Sequence, residues 1–226
     1  MPPKDNFLGD VRDSWKRVEA PGRSGKVTLV SELEYKAPAL IAEAITHLLG
    51  EDRVAGAVLD AGCGTGLCAT FLRARSGHLT GVDLSPEMVT LAEKRKLYDQ
   101  LVVDELCAFL HKHEAAYDVI VSADTLVYFG DLGDVLSASG RALAKSGVLA
   151  FTVERIAMTE APQGYRLQPS GRYAHNREYL ATALTGAGLT DVSVREVSLR
   201  KEAGRWVEGF LVSARRDPSN ASFPGL

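Results

Sequence analysis

Residues 58 to 67 read VLDAGCGTGL, an apolar run that ends on Asp60 and is followed by glycine at 62, 64 and 66. Glycine is conformationally expensive, so three within five residues imply a backbone that turns sharply or that a ligand approaches closely. A second apolar run, HLTGVD, ends on another acid, Asp83, and leads into LSPEM. A carboxylate there can accept both hydroxyls of a ribose, with Leu84 and Met88 as an apolar wall for a purine. Gly64, Gly66 and Ala69 also satisfy a GxGxxA fingerprint with Asp83 about twenty residues on, which keeps a dinucleotide ligand in play. Asp60 is awkward beside a pyrophosphate and suited to a sulfonium or an amino group, so charge favours a cationic ligand.

Fewer residues suggest themselves for chemistry beyond binding. His175, in RYAHN, is the candidate general base, because histidine titrates in the useful range and its segment is expected to fold over the site. Tyr128, in TLVYF, is the second catalytic candidate and also a candidate for the acceptor pocket, together with Tyr35, Arg172 and Tyr173. Cys63 belongs with the ligand-lining loop, and Cys68 reads as a small filler beside it. The three cysteines, Cys107 included, have no disulfide or zinc-ribbon spacing. His111 and His113 are flanked by Lys112 and Glu114, the pattern of a solvated helix end, and no metal site is expected.

These residues need a scaffold that brings distant loops to one edge. APALIAEAITHLLG (37 to 50) carries apolar side chains at helical spacing between Pro38 and Gly50. AGAVLD, an amphipathic stretch over 66 to 77, and HLTGVD then read as a βαβ unit. The rhythm continues through a helix at SPEMVTLAEKRKL, strands at DQLVVD and YDVIVSAD, a helix at LGDVLSASGRALA and a strand at SGVLAFTVE. Strands alternating with helices predict an α/β fold with a doubly wound parallel sheet, whose ligands lie at the carboxyl ends of its strands. Residues 155 to 176 read as irregular and polar. A helix at NREYLATALTGAG and two alternating strands, DVSVREVSL and RWVEGFLVSA, predict a hairpin at the sheet edge.

In order and spacing, VLDAGCGTGL, GVDLSPEMV, VVDEL, YDVIVSADTL and GVLAFTVE resemble the successive motifs of class I S-adenosylmethionine-dependent methyltransferases over roughly residues 55 to 155. The resemblance implies a Rossmann-like seven-stranded sheet, mostly parallel with an antiparallel terminal strand and helices on both faces. It implies that the Gly62 to Gly66 loop lies along the methionine part of S-adenosylmethionine and that Asp83 binds the ribose. Asp104, with Glu105 beside it, would reach the adenine, and the backbone from Ser122 to Asp124, Ala123 included, would close the pocket. LEYKAP, TLVYFGDL and SGRYAHNREYL look more narrowly like the bacterial TPR-associated and animal Williams-Beuren-region methyltransferases, although the chain shows no TPR repeat.

The expected organisation is an N-terminal lid and helix over 1–54, a methyltransferase core over 55–216 with a substrate cap at 155–176, and a flexible tail at 217–226. The 226 residues carry a formal charge of -3 in mixed-sign order, which gives no basic field for nucleic acid. No apolar stretch approaches the ~20 residues of a membrane span, and the start has no secretory apolar core, so a cytoplasmic monomer or homodimer is expected. The expected activity is methylation of a small metabolite, on oxygen in preference to nitrogen, leaving S-adenosylhomocysteine. An NAD-dependent oxidoreductase and a non-catalytic S-adenosylmethionine-binding protein are the alternatives.

Overall fold

The computed structural model describes residues 34–219. Helix α1 (Ala37–Leu49) has Pro38 in its first turn, where a missing N–H is harmless. It stops at Gly50, whose φ of 94° belongs to glycine and whose N–H bonds the Thr46 carbonyl at 2.9 Å. Ile41, Ala44 and Ile45, spaced by three and one, form its buried stripe.

Five strands follow, β1 (Ala55–Ala61), β2 (Ser76–Asp83), β3 (Gln100–Val103), β4 (Tyr117–Ser122) and β5 (Leu143–Arg155), all parallel in the order β3-β2-β1-β4-β5. They are joined by α2 (Ala69–Leu72) with a 3-10 turn at Arg73–Arg75, α3 (Pro86–Glu93), α4 (Leu106–His111) and α5 (Gly133–Ala142). The chain then forms β6 (Tyr165–Leu167), β7 (Tyr173–His175), α6 (Arg177–Gly186), β8 (Leu189–Glu202) and β9 (Arg205–Arg216).

β9 lies between β5 and β8 and runs antiparallel to both. The seven-stranded layer is therefore β3-β2-β1-β4-β5-β9-β8, with the last strand of the chain reversed and β8 at the edge. Residues alternate between its faces. Leu59, Ala61, Ile120, Leu149, Phe151 and Val153 join side chains of α4, α5 and α6, while Val58, Val119, Val121, Val148 and Ala150 join those of α1 and α2. Both faces are covered, as an internal parallel strand requires. Helix α1 packs on one face of this layer. Of the N-terminal lid and helix expected over 1–54, residues 1–33 lie outside the described residues, as do residues 220–226 of the expected tail.

Three expectations need correction. The stretch 155–176 is only partly irregular: β6 and β7 form a hairpin, and β7 continues the row of β4 by pairing Ala174 and His175 with Glu154 and Arg155. This is possible because β5 outlasts β4, whose last pair is Ser122 with Phe151. The helix expected over 66–77 is cut to one turn plus a 3-10 turn, because Ser76 already pairs with Ala55 in the sheet. Helix α5 stops at Ala142, where β5 begins. Among the described residues, no helix is long and apolar enough to cross a membrane.

Candidate active site

The carboxyl ends of β1, β2 and β4 meet at the glycine turn. The amides of Gly62 and Cys63 both donate to the Val82 carbonyl, at 2.8 and 2.9 Å, and Gly66 N–H closes the turn on Cys63 O at 2.8 Å. Gly62 and Gly64 have φ of 76° and 52°, but they are glycine for different further reasons. A side chain at Gly62 would run into Thr125, whose hydroxyl donates to Gly62 O at 3.1 Å and fastens the end of β4 to the turn. A Cβ at Gly64 would meet nothing within 4 Å. Bare backbone faces open space there, as a ligand cradle requires.

Asp83, at the end of β2, accepts from Gly64 N–H at 2.8 Å and from Ser85 N–H at 2.9 Å. Burial raises its pKa and those amide bonds hold it back. Capping of α3 is done by Ser85, which accepts from Met88 N–H at 3.3 Å, so Asp83 is not needed for that task. A carboxylate offers about four lone-pair sites, more than these amides fill, so acceptor capacity is left for a ligand. Leu84 is half-buried and Met88 is buried beside it.

Asp104 follows β3, its amide bonded to the Asp83 carbonyl at 3.1 Å. Its half-buried carboxylate pairs with Lys112 at 2.7 Å, which lowers its pKa. Glu105 accepts from Cys107 and Ala108 N–H at 3.0 and 2.8 Å and caps α4. Both of its oxygens therefore have an architectural task.

Asp60 is fully enclosed, with 1% exposure. The Tyr98 hydroxyl donates to its Oδ2 at 2.6 Å. Burial first, then the neighbouring Asp83, pushes its pKa up to about 7 against the Tyr98 bond. Cys63 and Cys68 are buried free thiols, held neutral by desolvation and by the nearby carboxylates. Tyr98 was not anticipated from the sequence.

On the far side of Thr125 lies a second constellation, in which Arg172, Tyr35 and the Asp124 backbone were anticipated and Glu154, Arg200 and Glu202 were not. Asp124 has a φ of 54°, an unusual backbone for a residue with a Cβ, and half-buried Ala123 precedes it. Its carboxylate meets Arg200 at 2.9 Å, and Arg200 also reaches Glu154 and Glu202. Arg172 bonds Glu154 at 2.7 Å and Glu202 at 2.5 Å. Burial opposes the charge on Arg200, but Asp124, Glu154 and Glu202 more than compensate and raise its pKa. Desolvation, then repulsion from Glu154, raises the pKa of Asp124. Tyr35 is half-buried, and its pKa is raised by desolvation first and then by Asp124. The candidate Arg172 is thus committed to two carboxylates.

His175 is completely buried. Its Nε2–H donates to the Gly130 carbonyl at 3.0 Å, and its ring lies within 6.0 Å of those of Tyr165 and Tyr179. Desolvation lowers its pKa to about 4, against the pull of the Gly130 and Phe129 carbonyls. An effective general base titrates near the working pH and can reach its substrate. This environment instead makes His175 a clamp on the loop after β4, which revises the expectation of a catalytic base. Tyr173 packs edge-on to Tyr165, and both rings press on Gly130. Tyr128 is buried in the 3-10 turn Leu126–Tyr128. His111 pairs with Asp134 and Arg141, and His113 with the Phe109 carbonyl, so the two histidines and Cys107 do not converge.

A family model described as a methyltransferase domain matches residues 33–194. The chain belongs to this methyltransferase domain family. It is 28% identical to the ubiquinone biosynthesis O-methyltransferase of Hydrogenovibrio crunogenus over 131 residues, covering 53% of this chain and 54% of that one. It is also 28% identical to the malonyl-[acyl-carrier protein] O-methyltransferase of Acetivibrio thermocellus over 185 residues, covering 73% and 65%. The chain therefore spans between half and two thirds of the length of these curated relatives. In structure it resembles the 1,6-didemethyltoxoflavin-N1-methyltransferase of Burkholderia thailandensis, crystallised with bound 1,6-didemethyltoxoflavin and S-adenosylhomocysteine, at a TM-score of 0.70, 20% identity, and coverage of 96% and 92%.

Within this chain, Glu154 had a signal that could have singled it out. It ends an apolar strand, GVLAFTVE, as Asp60 and Asp83 end theirs. Arg200 had none, since its partner Asp124 lies 76 residues away in the chain.

Proposed function

We propose that this methyltransferase takes its methyl group from S-adenosylmethionine and transfers it to an oxygen of a small molecule. The observation that carries the reading is a pair of carboxylates, Asp60 and Asp83, flanking a turn whose Gly64 faces open space. A cationic amino-acid nucleoside fits that arrangement better than a pyrophosphate, which two carboxylates would repel. The Gly62–Gly66 backbone would hold the methionine part, Asp60 its ammonium, and Asp83 the ribose hydroxyls, with Leu84, Met88 and Asp104 around the base.

When bound, S-adenosylmethionine supplies a methyl group on a positively charged sulfur, an electrophile that needs an aligned acceptor more than acid–base help. The chain's own contribution is then to position the acceptor and receive its proton. With His175 buried as a clamp, the groups that remain near the end of β4 are Tyr35, Asp124 and Glu154. Asp124 has the raised pKa that suits a proton acceptor. Oxygen is preferred because both curated relatives are O-methyltransferases by name. The motifs TLVYFGDL and SGRYAHNREYL support the narrower kinship with the TPR-associated and Williams-Beuren-region group.

The test is incubation of the full chain with methyl-labelled S-adenosylmethionine and a panel of phenols, short carboxylic acids and amines. Label on an oxygen acceptor, with S-adenosylhomocysteine formed in equal amount, is the expected result. Label on amines alone would overturn the oxygen assignment. Absence of turnover with every acceptor, beside firm cofactor binding, would favour a binding protein over an enzyme.

A further inference from the structure

We infer that Tyr98 is a positioning residue for the cofactor: its hydroxyl holds the buried Asp60 carboxyl as a proton-linked receptor for the ligand's ammonium, so that binding releases a proton. This rests on the S-adenosylmethionine reading and deepens it.

The geometry is specific. Tyr98 comes from the connection between α3 and β3, and its ring lies over two glycines. A Cβ at Gly66 would come within 3.0 Å of it, and one at Gly81 within 2.8 Å. Gly81 pairs directly with Asp60 across β1 and β2. The missing side chains let the phenol lie flat against strand and turn, and the hydroxyl then meets Asp60 Oδ2 at 2.6 Å. The ring thus closes the sheet-side wall of the glycine turn while fixing the carboxyl beneath it.

The charges around Asp60 are one-sided. From β2 it faces Asp83, from the turn Cys63, from the start of α2 Cys68, and from the segment before α1 Tyr35. All are acidic or neutral. Arg95, three residues before Tyr98, is exposed and donates to the Thr65 carbonyl at 2.5 Å. A buried carboxylate without a counter-charge is strongly disfavoured, and it relieves this by keeping a proton. Tyr98 remains protonated, since burial and Asp60 raise its own pKa far above the usual range. With Tyr98 donating to Oδ2, the titrating proton belongs on Oδ1. An arriving ammonium supplies the missing charge, Asp60 ionises, and that proton leaves to solvent.

Calorimetric titration of the full chain with S-adenosylhomocysteine tests this. It is run at pH 6, 7, 8 and 9, and at pH 7 in two buffers of different ionisation enthalpy. A carboxyl titrating near 7 in the free protein predicts about half a proton released at pH 7 and affinity rising about tenfold from pH 6 to 8. Tyr98→Phe, which removes only the hydroxyl, is expected to weaken binding severalfold at pH 7, to move the rise to higher pH, and to approach wild-type affinity at pH 9. Asp60→Asn is expected to abolish both the proton release and the pH dependence.

Wild-type affinity that is flat across this range, with heats independent of buffer, would overturn the proton link. An unshifted profile in Tyr98→Phe would remove Tyr98 from it. No binding at any pH would instead overturn the S-adenosylmethionine reading, and the inference with it.

Discussion

The amide of Gly64 donates to the carboxylate of Asp83 across 2.8 Å, so the acid closing β2 is tied to the turn that follows β1. The backbone of the turn and the end of the neighbouring parallel strand thereby act as one rigid edge. Because Gly64 faces outward while Gly62 faces Thr125, the same substitution at the two positions has different consequences. Gly62→Ala is expected to lose stability, on the order of 2 kcal/mol or more, since the methyl group collides with Thr125 at a positive φ. Gly64→Ala carries only the strain of a left-handed backbone, about 1 kcal/mol, but its methyl group enters the cradle. Denaturant unfolding beside titration with S-adenosylhomocysteine separates them. A Gly64→Ala variant of unaltered affinity would mean that the ligand does not lie on that backbone.

Asp60 trades stability for binding. Its folded pKa of about 7 exceeds the ordinary carboxylate value, so the folded state holds the extra proton between about pH 4 and 7. Stability from this group is present at low pH and is lost as pH rises through 7. Asp60→Asn is therefore expected to stabilise the ligand-free protein above pH 7, by roughly 2 kcal/mol, while weakening cofactor affinity. Thermal unfolding at pH 6 and 8 checks it, the gain being larger at pH 8.

His175 has the opposite sign. Its folded pKa of about 4 lies below the ordinary histidine value, so its contribution is intact above about 6.5 and is lost as pH falls towards 4. His175→Phe is expected to flatten that part of the acid limb, at a neutral-pH cost of about 1 kcal/mol for the lost bond to Gly130. Stability curves from pH 4 to 7.5 for both proteins decide it.

Arg200 neutralises two buried carboxylates. Replacing it by methionine leaves Asp124 and Glu154 facing each other, and a loss of about 3–5 kcal/mol is expected. Adding Glu154→Gln is expected to recover part of that loss, which urea unfolding of the single and double variants measures. Strict additivity of the two substitutions would deny the coupling.

The parts of this fold legible in the sequence were those that burial makes periodic. Internal parallel strands read as apolar runs, and the acids ending them, Asp60 and Asp83, both came to the glycine turn as the motifs implied. The β6–β7 hairpin was not legible because YRL and YAH are three residues each, too short for alternation to register. Tyr98 sat unnoticed in KLYDQ because its importance depends on Asp60, 38 residues earlier, and on two glycines that make room for its ring. His175 was misjudged for a related reason: its residue type suggested chemistry, while its burial, set by the pairing of β7 with β5, decided its pKa.

The measurement that tests the central claim most directly is calorimetric titration of the full chain with S-adenosylhomocysteine, run beside NADH under the same conditions. Micromolar binding of S-adenosylhomocysteine with no heat from NADH is predicted. Binding of NADH alone would contradict the account and return VLDAGCGTGL to the dinucleotide fingerprint.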